Sequence, residues 1–307
     1  MSKFFKGDVT NDVVELNLLD PAVGSGGGAS PTIVTKNTGP NVVEQFVGSI
    51  PAYQYSSGSN GGYDVKGLVI GTSCTGIEDD VFTGCSGLTG SLVIPDSVTS
   101  IGINSFLYCG GLTGSLVIPD SVTSIGGFAF YYCTGFDGSL TIGNSVTSIG
   151  TYAFYYCTSL TGSLTIPDSV TSIGTYTFSY CSGLTGSLTI GNSVTSIGDY
   201  AFGSCIGFNG SLTIPDSVTT IGSSAFFYCN GFNGSLTIGN SVTTIGSYAF
   251  NTCSSITSVS ILATTAPTIG AGAFYNMTLV SPAEIHVPVG ATGYAASYDG
   301  LTVVYDL

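Results

Sequence analysis

With 307 residues, 43% of them apolar and only 7% charged, the chain is long enough to bury a continuous core and is no disordered polyelectrolyte. Its four cations, Lys3, Lys6, Lys36 and Lys66, all lie in the first fifth against 18 acidic residues overall. Everything beyond Lys66 therefore lacks the charge to neutralise phosphates or to adhere to an anionic membrane, which excludes nucleic acid as its partner.

The opening Met1-Ser-Lys-Phe-Phe-Lys runs into polar Gly-Asp-Val-Thr-Asn rather than an apolar signal core, so no secretory leader is expected in this stretch. No segment approaches the roughly 20 continuous apolar residues of a membrane helix, so no membrane insertion is expected either. Val13 to Leu19 reads as a strand, and Gly24-Ser-Gly-Gly-Gly-Ala29 as a hinge by composition. Residues 1–66 are too small and too rich in Gly to fold alone. They read as an anchoring segment that becomes ordered by packing on a protein partner, a neighbouring subunit of a homo-oligomer or of a larger assembly.

From there a 24-residue repeat takes over. Ile-Pro-Asp-Ser-Val-Thr-Ser-Ile-Gly at Ile94 returns at Ile118, with variants at Ile142, Ile166, Ile190, Ile214 and Ile238. A degenerate copy precedes them at Ile70, with Phe82 and Cys85 in place and Glu78-Asp79-Asp80 as a solvated acidic cluster. A ninth copy is expected from Leu262, with Ile269, Gly270, Ala273 and Phe274 in register and Met277 in the cysteine position. The resulting division is 1–66, a solenoid over 67–287 and a C-terminal cap over 288–307.

Within one unit, Ser115-Leu-Val-Ile118 alternates polar and apolar between Gly114 and Pro119 and predicts a short strand with Leu116 and Ile118 inward. Val122 to Ile125 predicts a second. The spacing of Ala129, Phe130 and Cys133 predicts a short or 3₁₀ helix with those residues inside. No unit can bury its apolar residues alone, so about nine coils must stack, at a rise of roughly 4.7–4.9 Å if strands pair.

In such a stack each repeated position becomes a file. Cys85, Cys109, Cys133, Cys157, Cys181, Cys205, Cys229 and Cys253 form a spine, predicted to be reduced, buried and small, since its spacing suits neither disulfides nor a tetrahedral metal. A reduced spine points to assembly in a reducing compartment. Asp96, Asp120, Asn144, Asp168, Asn192, Asp216 and Asn240 form a second file, expected to satisfy their own backbone in Asx-turns rather than to hold calcium between coils. After the first units, Pro-Asp and Gly-Asn alternate strictly, which points to duplication of a two-coil block.

Two tyrosine rows, Tyr132, Tyr156, Tyr180 and Tyr228 with Tyr152, Tyr176, Tyr200 and Tyr248, are too large to be buried beside the phenylalanines. They either offer wide, polar-tipped contact area to a protein or sugar or shield the coil edge. The outward strand position, Val93, Val117, Thr141, Thr165, Thr189, Thr213 and Thr237, makes an uncharged ribbon suited to ordinary sheet packing or to docking. For catalysis there is one histidine, His286, with no partner placed beside it by a motif; neither enzyme chemistry, nor a cofactor, nor a metal is expected.

A repeat of the form L-T-I-P-x-S-V-T-S-I-G-x-x-A-F-x-x-C-x-x-L resembles the BspA-type leucine-rich repeat, and Ile-Gly-x-x-Ala-Phe-x-x-Cys recurs at Ile149, Ile197 and Ile245. The tail Ile285-His-Val-Pro-Val-Gly290, followed by Tyr294, resembles that family's closing strand. The resemblance implies a curved, right-handed leucine-rich-repeat-like solenoid used for adhesion. Joined to an ordered arm and an unseen leader, it leads to a non-catalytic structural and binding protein on a virion surface, as a phage tail fibre or capsid decoration. The alternative is a bacterial or protist adhesin, at the cell surface or secreted, that binds host protein or glycan.

Overall fold

The computed structural model describes residues 32–36, 42–44, 48–50 and 65–307, apart from 280 and 281. Val122 and Ile125 are buried while Thr123 between them is exposed, and the same pattern recurs in each coil. This alternation makes one face of the coil an extended segment that pairs with its copies above and below. Ten such segments, from 48–50 and 74–77 up to 244–245 and 268–269, form one parallel sheet. Its register is set by the period: Ile125 faces Ile149, and Ile197 faces Ile221. The chain is thus a β-solenoid of about nine coils, as the spacing requires.

The core is built from files of identical side chains. The phenylalanine of each coil, from Phe82 to Phe274, stacks on the next at 5.1–5.8 Å between centroids with planes within 20° of parallel. The cysteines line up beside them, all buried and free of disulfides. From Cys109 to Cys253 each spine thiol donates to the phenylalanine carbonyl 27 residues back, as Cys133 does to Phe106 at 3.0 Å and Cys205 to Phe178 at 3.0 Å.

The expected helix over Ala129–Cys133 is absent; among the described residues there are no helices. In its place runs a chain of overlapping tight turns whose N–H groups alternate in direction. Ala153, Tyr155 and Cys157 donate three residues back within the coil, to Gly150, Tyr152 and Phe154. Tyr152, Phe154 and Tyr156 donate to Thr175, Thr177 and Ser179 of the next coil at 2.8–3.0 Å. A helix would close all these bonds on itself and leave the coils unjoined along this side. The one-turn spacing of Ala, Phe and Cys arises equally from three inward corners of a turn chain.

The opposite side explains the alternation of Pro and Gly. Residues 116–117 pair with 140–141, and 164–165 with 188–189, but the ribbon is cut between these pairs. A parallel ladder needs an N–H from the residue after the strand, as Gly239 supplies to Ile214 at 3.0 Å. Pro167 and Pro215 have none to give. On this ribbon the coils of Pro119, Pro167 and Pro215 therefore each pair with the Gly coil that follows, and the two form a block.

The Asp/Asn file joins the same halves. Asn144, Asn192 and Asn240 donate their backbone N–H to Asp120, Asp168 and Asp216 Oδ1 at 2.7–2.8 Å. These aspartates satisfy the next coil's backbone and not their own, which corrects the Asx-turn expectation. Blocks are joined to one another by serine hydroxyls: Ser121 to Val98 O, Ser169 to Val146 O and Ser217 to Val194 O, at 2.6–2.7 Å.

The ends depart from the period. Ile238 faces Ile261, not Leu262, so that coil is one residue short on this side, and the long sheet regains register with Ile245 facing Ile269. Residues 284–287 and 301–305 continue the six-stranded sheet in parallel, and 297–298 closes it antiparallel. At the N-terminal end, 48–50 pairs with 74–77, and 32–36 lies between 42–44 and 65–69. The described strands of the first 66 residues thus pair with one another, with 65–69 and with the first coil. The expected strand at Val13–Leu19 and the hinge at Gly24–Ala29 lie outside the described residues.

Candidate functional site

Two positions in the turn chains, four residues apart, have φ of 52–62° wherever the residue is not glycine. The first carries Asn104, Phe128, Tyr152, Tyr176, Tyr200, Ser224 and Tyr248; the second carries Tyr108, Tyr132, Tyr156, Tyr180, Ser204, Tyr228 and Thr252. The two tyrosine rows read from the sequence are these left-handed corners. Their rings lie on the surface, half-buried or exposed, while the Ala, Phe and Cys between and beside them are buried.

Because coils repeat by translation, equivalent rings lie parallel. Phe128, Tyr152, Tyr176 and Tyr200 are spaced 4.7–4.8 Å apart within 12° of parallel. Carbon atoms approach no closer than about 3.5 Å, so rings at this spacing must overlap face to face, with normals within roughly 40° of the file. Tyr132 and Tyr156 stack at 4.4 Å, and Tyr180 turns 42° out of the file.

A third file missed in the sequence reading fills the space between: Tyr131 and Tyr155, 5.0 Å apart, meet Tyr152 and Tyr132 edge-on or tilted. Tyr-Tyr doublets at 131–132 and 155–156 were the signal for it. Six of the eight tyrosines singled out belong to this continuous patch. Tyr228 is linked to it through Phe227, which also meets Tyr200, whereas Tyr248, against Gly272, lies beyond a break.

The patch is neutral. Burial, reinforced by the neighbouring phenols, pushes Tyr155 up to about 12 and raises Tyr131 and Tyr176 in the same direction. The cysteine spine is equally silent. Burial pushes Cys85, Cys157 and Cys253 up to about 12 and the other five spine thiols well above their ordinary value.

On the long sheet a shallow groove of about 450 Å³ runs over Ser100, Ser124 and Ser148 and their following Ile-Gly pairs, with Glu78 and Asp79 at one end. The outward position from Val93 to Thr213 is exposed, and in a second threonine row Thr99, Thr123, Thr147, Thr195, Thr219 and Thr243 donate their hydroxyls to the threonine carbonyl one coil back at 2.9–3.2 Å. Those hydroxyls serve the ladder. His286 is placed by the fold beside Asp306, Nδ1 to Oδ1 2.9 Å, a clasp between the last repeat and the cap that no local motif announced. Among the described residues no three His, Cys, Asp or Glu side chains converge on a point. Nor, among them, is any helix long and apolar enough to cross a membrane.

Stacked coils with inward leucine, isoleucine and phenylalanine files and an outward aromatic face define a leucine-rich repeat solenoid of binding type. The family model for the BspA type leucine rich repeat region matches residues 55–185 and 184–290 in six copies, and the chain belongs to that family. Among solved structures it is similar to a leucine rich cell surface protein from Faecalibacterium prausnitzii A2-165, with 26% identity over 86% of this chain and 77% of that one and a TM-score of 0.52. It also resembles leucine-rich repeat proteins of Bacteroides ovatus (23% identity, 90% of this chain and 98% of that, TM-score 0.44) and T. pallidum (22%, 76% and 91%, 0.45). No curated protein matches the sequence.

Proposed function

We propose that the chain is a non-catalytic, adhesin-type binding protein of a cell surface, which recognises a protein or glycan through its tyrosine face. One observation carries the reading. Nine tyrosines and Phe128 occupy left-handed corners that Asn104, Ser204, Ser224 and Gly84 fill equally well in other coils, so the fold itself does not ask for rings there. A bulky residue in that conformation costs roughly 1–2 kcal/mol. Strain kept at exposed positions is a pointer to function, and tyrosine is the residue that binding surfaces favour. The Faecalibacterium protein is described as a cell surface protein, which favours that setting over a virion. Residues 1–66 act as the anchoring segment in this reading.

The test replaces Tyr132, Tyr156 and Tyr180 together with serine, the residue the same position carries at Ser204. Melting is expected to stay within about 4 °C of the parent, a change of ~1–2 kcal/mol in a chain of this size. Binding to immobilised matrix proteins and mucin glycans should fall at least tenfold, as hot-spot losses of ≥ 2 kcal/mol require. Unchanged binding by the triple variant refutes the assignment.

A further inference from the structure

From Tyr108 to Tyr200 the tyrosine rings form an unbroken network, each linked to the next at 4.4–5.5 Å between centroids. Two of its members stand well out of the surface, Tyr108 at 49% and Tyr180 at 42% exposed. Other groups that give up an electron readily are withdrawn from it. The sequence has no tryptophan, the described cysteines are all buried, and Met277 is buried too. Among the described residues, the phenols are therefore what an oxidant in solution meets first.

Within the network Tyr132 and Tyr156 are the closest ring pair among the described residues, 4.4 Å between centroids with planes 11° apart. Both occupy left-handed corners, at φ 57° and 62°. The Tyr132 N–H donates to the carbonyl of Tyr155 at 2.8 Å, which ties the first corner to the residue preceding the second. Consecutive coils are related by translation, so the ring of Tyr156 is nearly a shifted copy of that of Tyr132. Each carbon ortho to a hydroxyl then lies about 4.4 Å from its counterpart. That is little more than the ~3.5 Å of ordinary carbon contact. No unfolding is needed to bring these carbons together, since a tilt of two half-buried rings at the surface suffices.

We propose that Tyr132 and Tyr156 are an oxidative cross-linking site, converted to an intramolecular dityrosine by hydrogen peroxide and a peroxidase. Each phenol gives up its O–H hydrogen as a proton and an electron. The two phenoxyl radicals pair at their ortho carbons and make one C–C bond. Each ring then moves the hydrogen of that carbon onto its own oxygen and is a phenol again. The chain loses two hydrogens in all, and one molecule of hydrogen peroxide takes them up and becomes two of water. A radical formed first on Tyr108 or Tyr180 reaches the pair by taking a hydrogen atom from the ring it touches, Tyr132 in the one case and Tyr156 in the other. The new bond staples two consecutive coils. This chemistry belongs to the tyrosines themselves and does not depend on what their face recognises.

The test treats the dilute full chain with a plant peroxidase and one equivalent of hydrogen peroxide. The product should run as a monomer in denaturing gels, weigh two hydrogens less than the parent and show the blue fluorescence of dityrosine. A peptic digest should join the peptide of Tyr132 to that of Tyr156, and the yield per chain should stay constant on serial dilution. Tyr156→Phe keeps the ring and removes only the hydroxyl. It should melt with the parent and lose more than half of the dityrosine. The absence of dityrosine, its confinement to dimers whose yield falls on dilution, or coupling as complete in Tyr156→Phe as in the parent overturns the proposal.

Discussion

Gly143→Ala is the sharpest test of the two-coil block. A Cβ at this position would lie 2.4 Å from the Pro119 carbonyl oxygen, 2.6 Å from its carbon and 2.8 Å from the Asp120 nitrogen. All three are backbone atoms of the coil below, so no side chain can swing aside. Relief requires the two halves of the block to part by about 1 Å, toward the ~3.5 Å of ordinary contact. That movement stretches the Asn144 N–H to Asp120 bond, now 2.7 Å. Overpacking of this kind costs about 1–3 kcal/mol, and a weakened hydrogen bond adds up to ~1 kcal/mol. A total near 2–3 kcal/mol lowers the thermal midpoint by about 4–9 °C in a protein of this length. Pro167→Ala is the control, because Pro167 gives no ladder N–H and its loss breaks none; it should shift the midpoint by less than ~2 °C, an effect under 1 kcal/mol. Melting by circular dichroism decides. If Gly143→Ala melts with the parent, or Pro167→Ala falls as far, Pro and Gly alternate for some other reason than close approach.

Alkali should unfold the protein sharply. The eight spine thiols have native values raised above 9.0, so above pH 9 the unfolded chain sheds protons that the native one keeps. Stability is then complete below pH 9 and falls by up to ~1.4 kcal/mol per thiol for each further unit; near-ultraviolet dichroism lost around pH 10 is expected, and a native signal at pH 12 refutes it. At pH 8, iodoacetamide should modify fewer than one of the nine cysteines of the native protein and all nine in denaturant; full native labelling would mean the coils open. Ser169→Ala removes a hydroxyl bonded to Val146 O at 2.6 Å and should cost about 1 kcal/mol in urea denaturation, whereas a neutral result would leave the blocks joined by the long sheet and the turn-chain hydrogen bonds without help from the serines. His286→Ala breaks a part-exposed clasp with Asp306 and should cost less than ~1 kcal/mol; loss of the tyrosine-dependent binding with it would move the recognition site to the cap.

The stacking of coils was legible because a period of 24 constrains every residue at once. Any strand at Ile125 must find its partner at Ile149, and any cysteine at Cys133 must lie on Cys109 and Cys157. What failed was local conformation between the strands. Ala, Phe and Cys three and four residues apart have the same spacing on a helix and on a chain of corners, and only the direction of the N–H groups separates the two. The one-residue slip at Ile261 escaped notice because the register recovers by Ile269. The tyrosine rows were found by size, since rings that cannot fit inside must lie outside.

Cysteine usage loses its value as a compass here. A reduced spine reads as the mark of a reducing compartment, yet oxidation proceeds through the thiolate. Burial holds every spine thiol protonated, and the sulfurs from Cys109 to Cys253 each donate to a phenylalanine carbonyl. Such a thiol survives outside the cell as well as inside. The same translation that aligns the rings on the outer face thus shields the sulfurs within, and a cell-surface adhesin with eight stacked free cysteines involves no chemical contradiction.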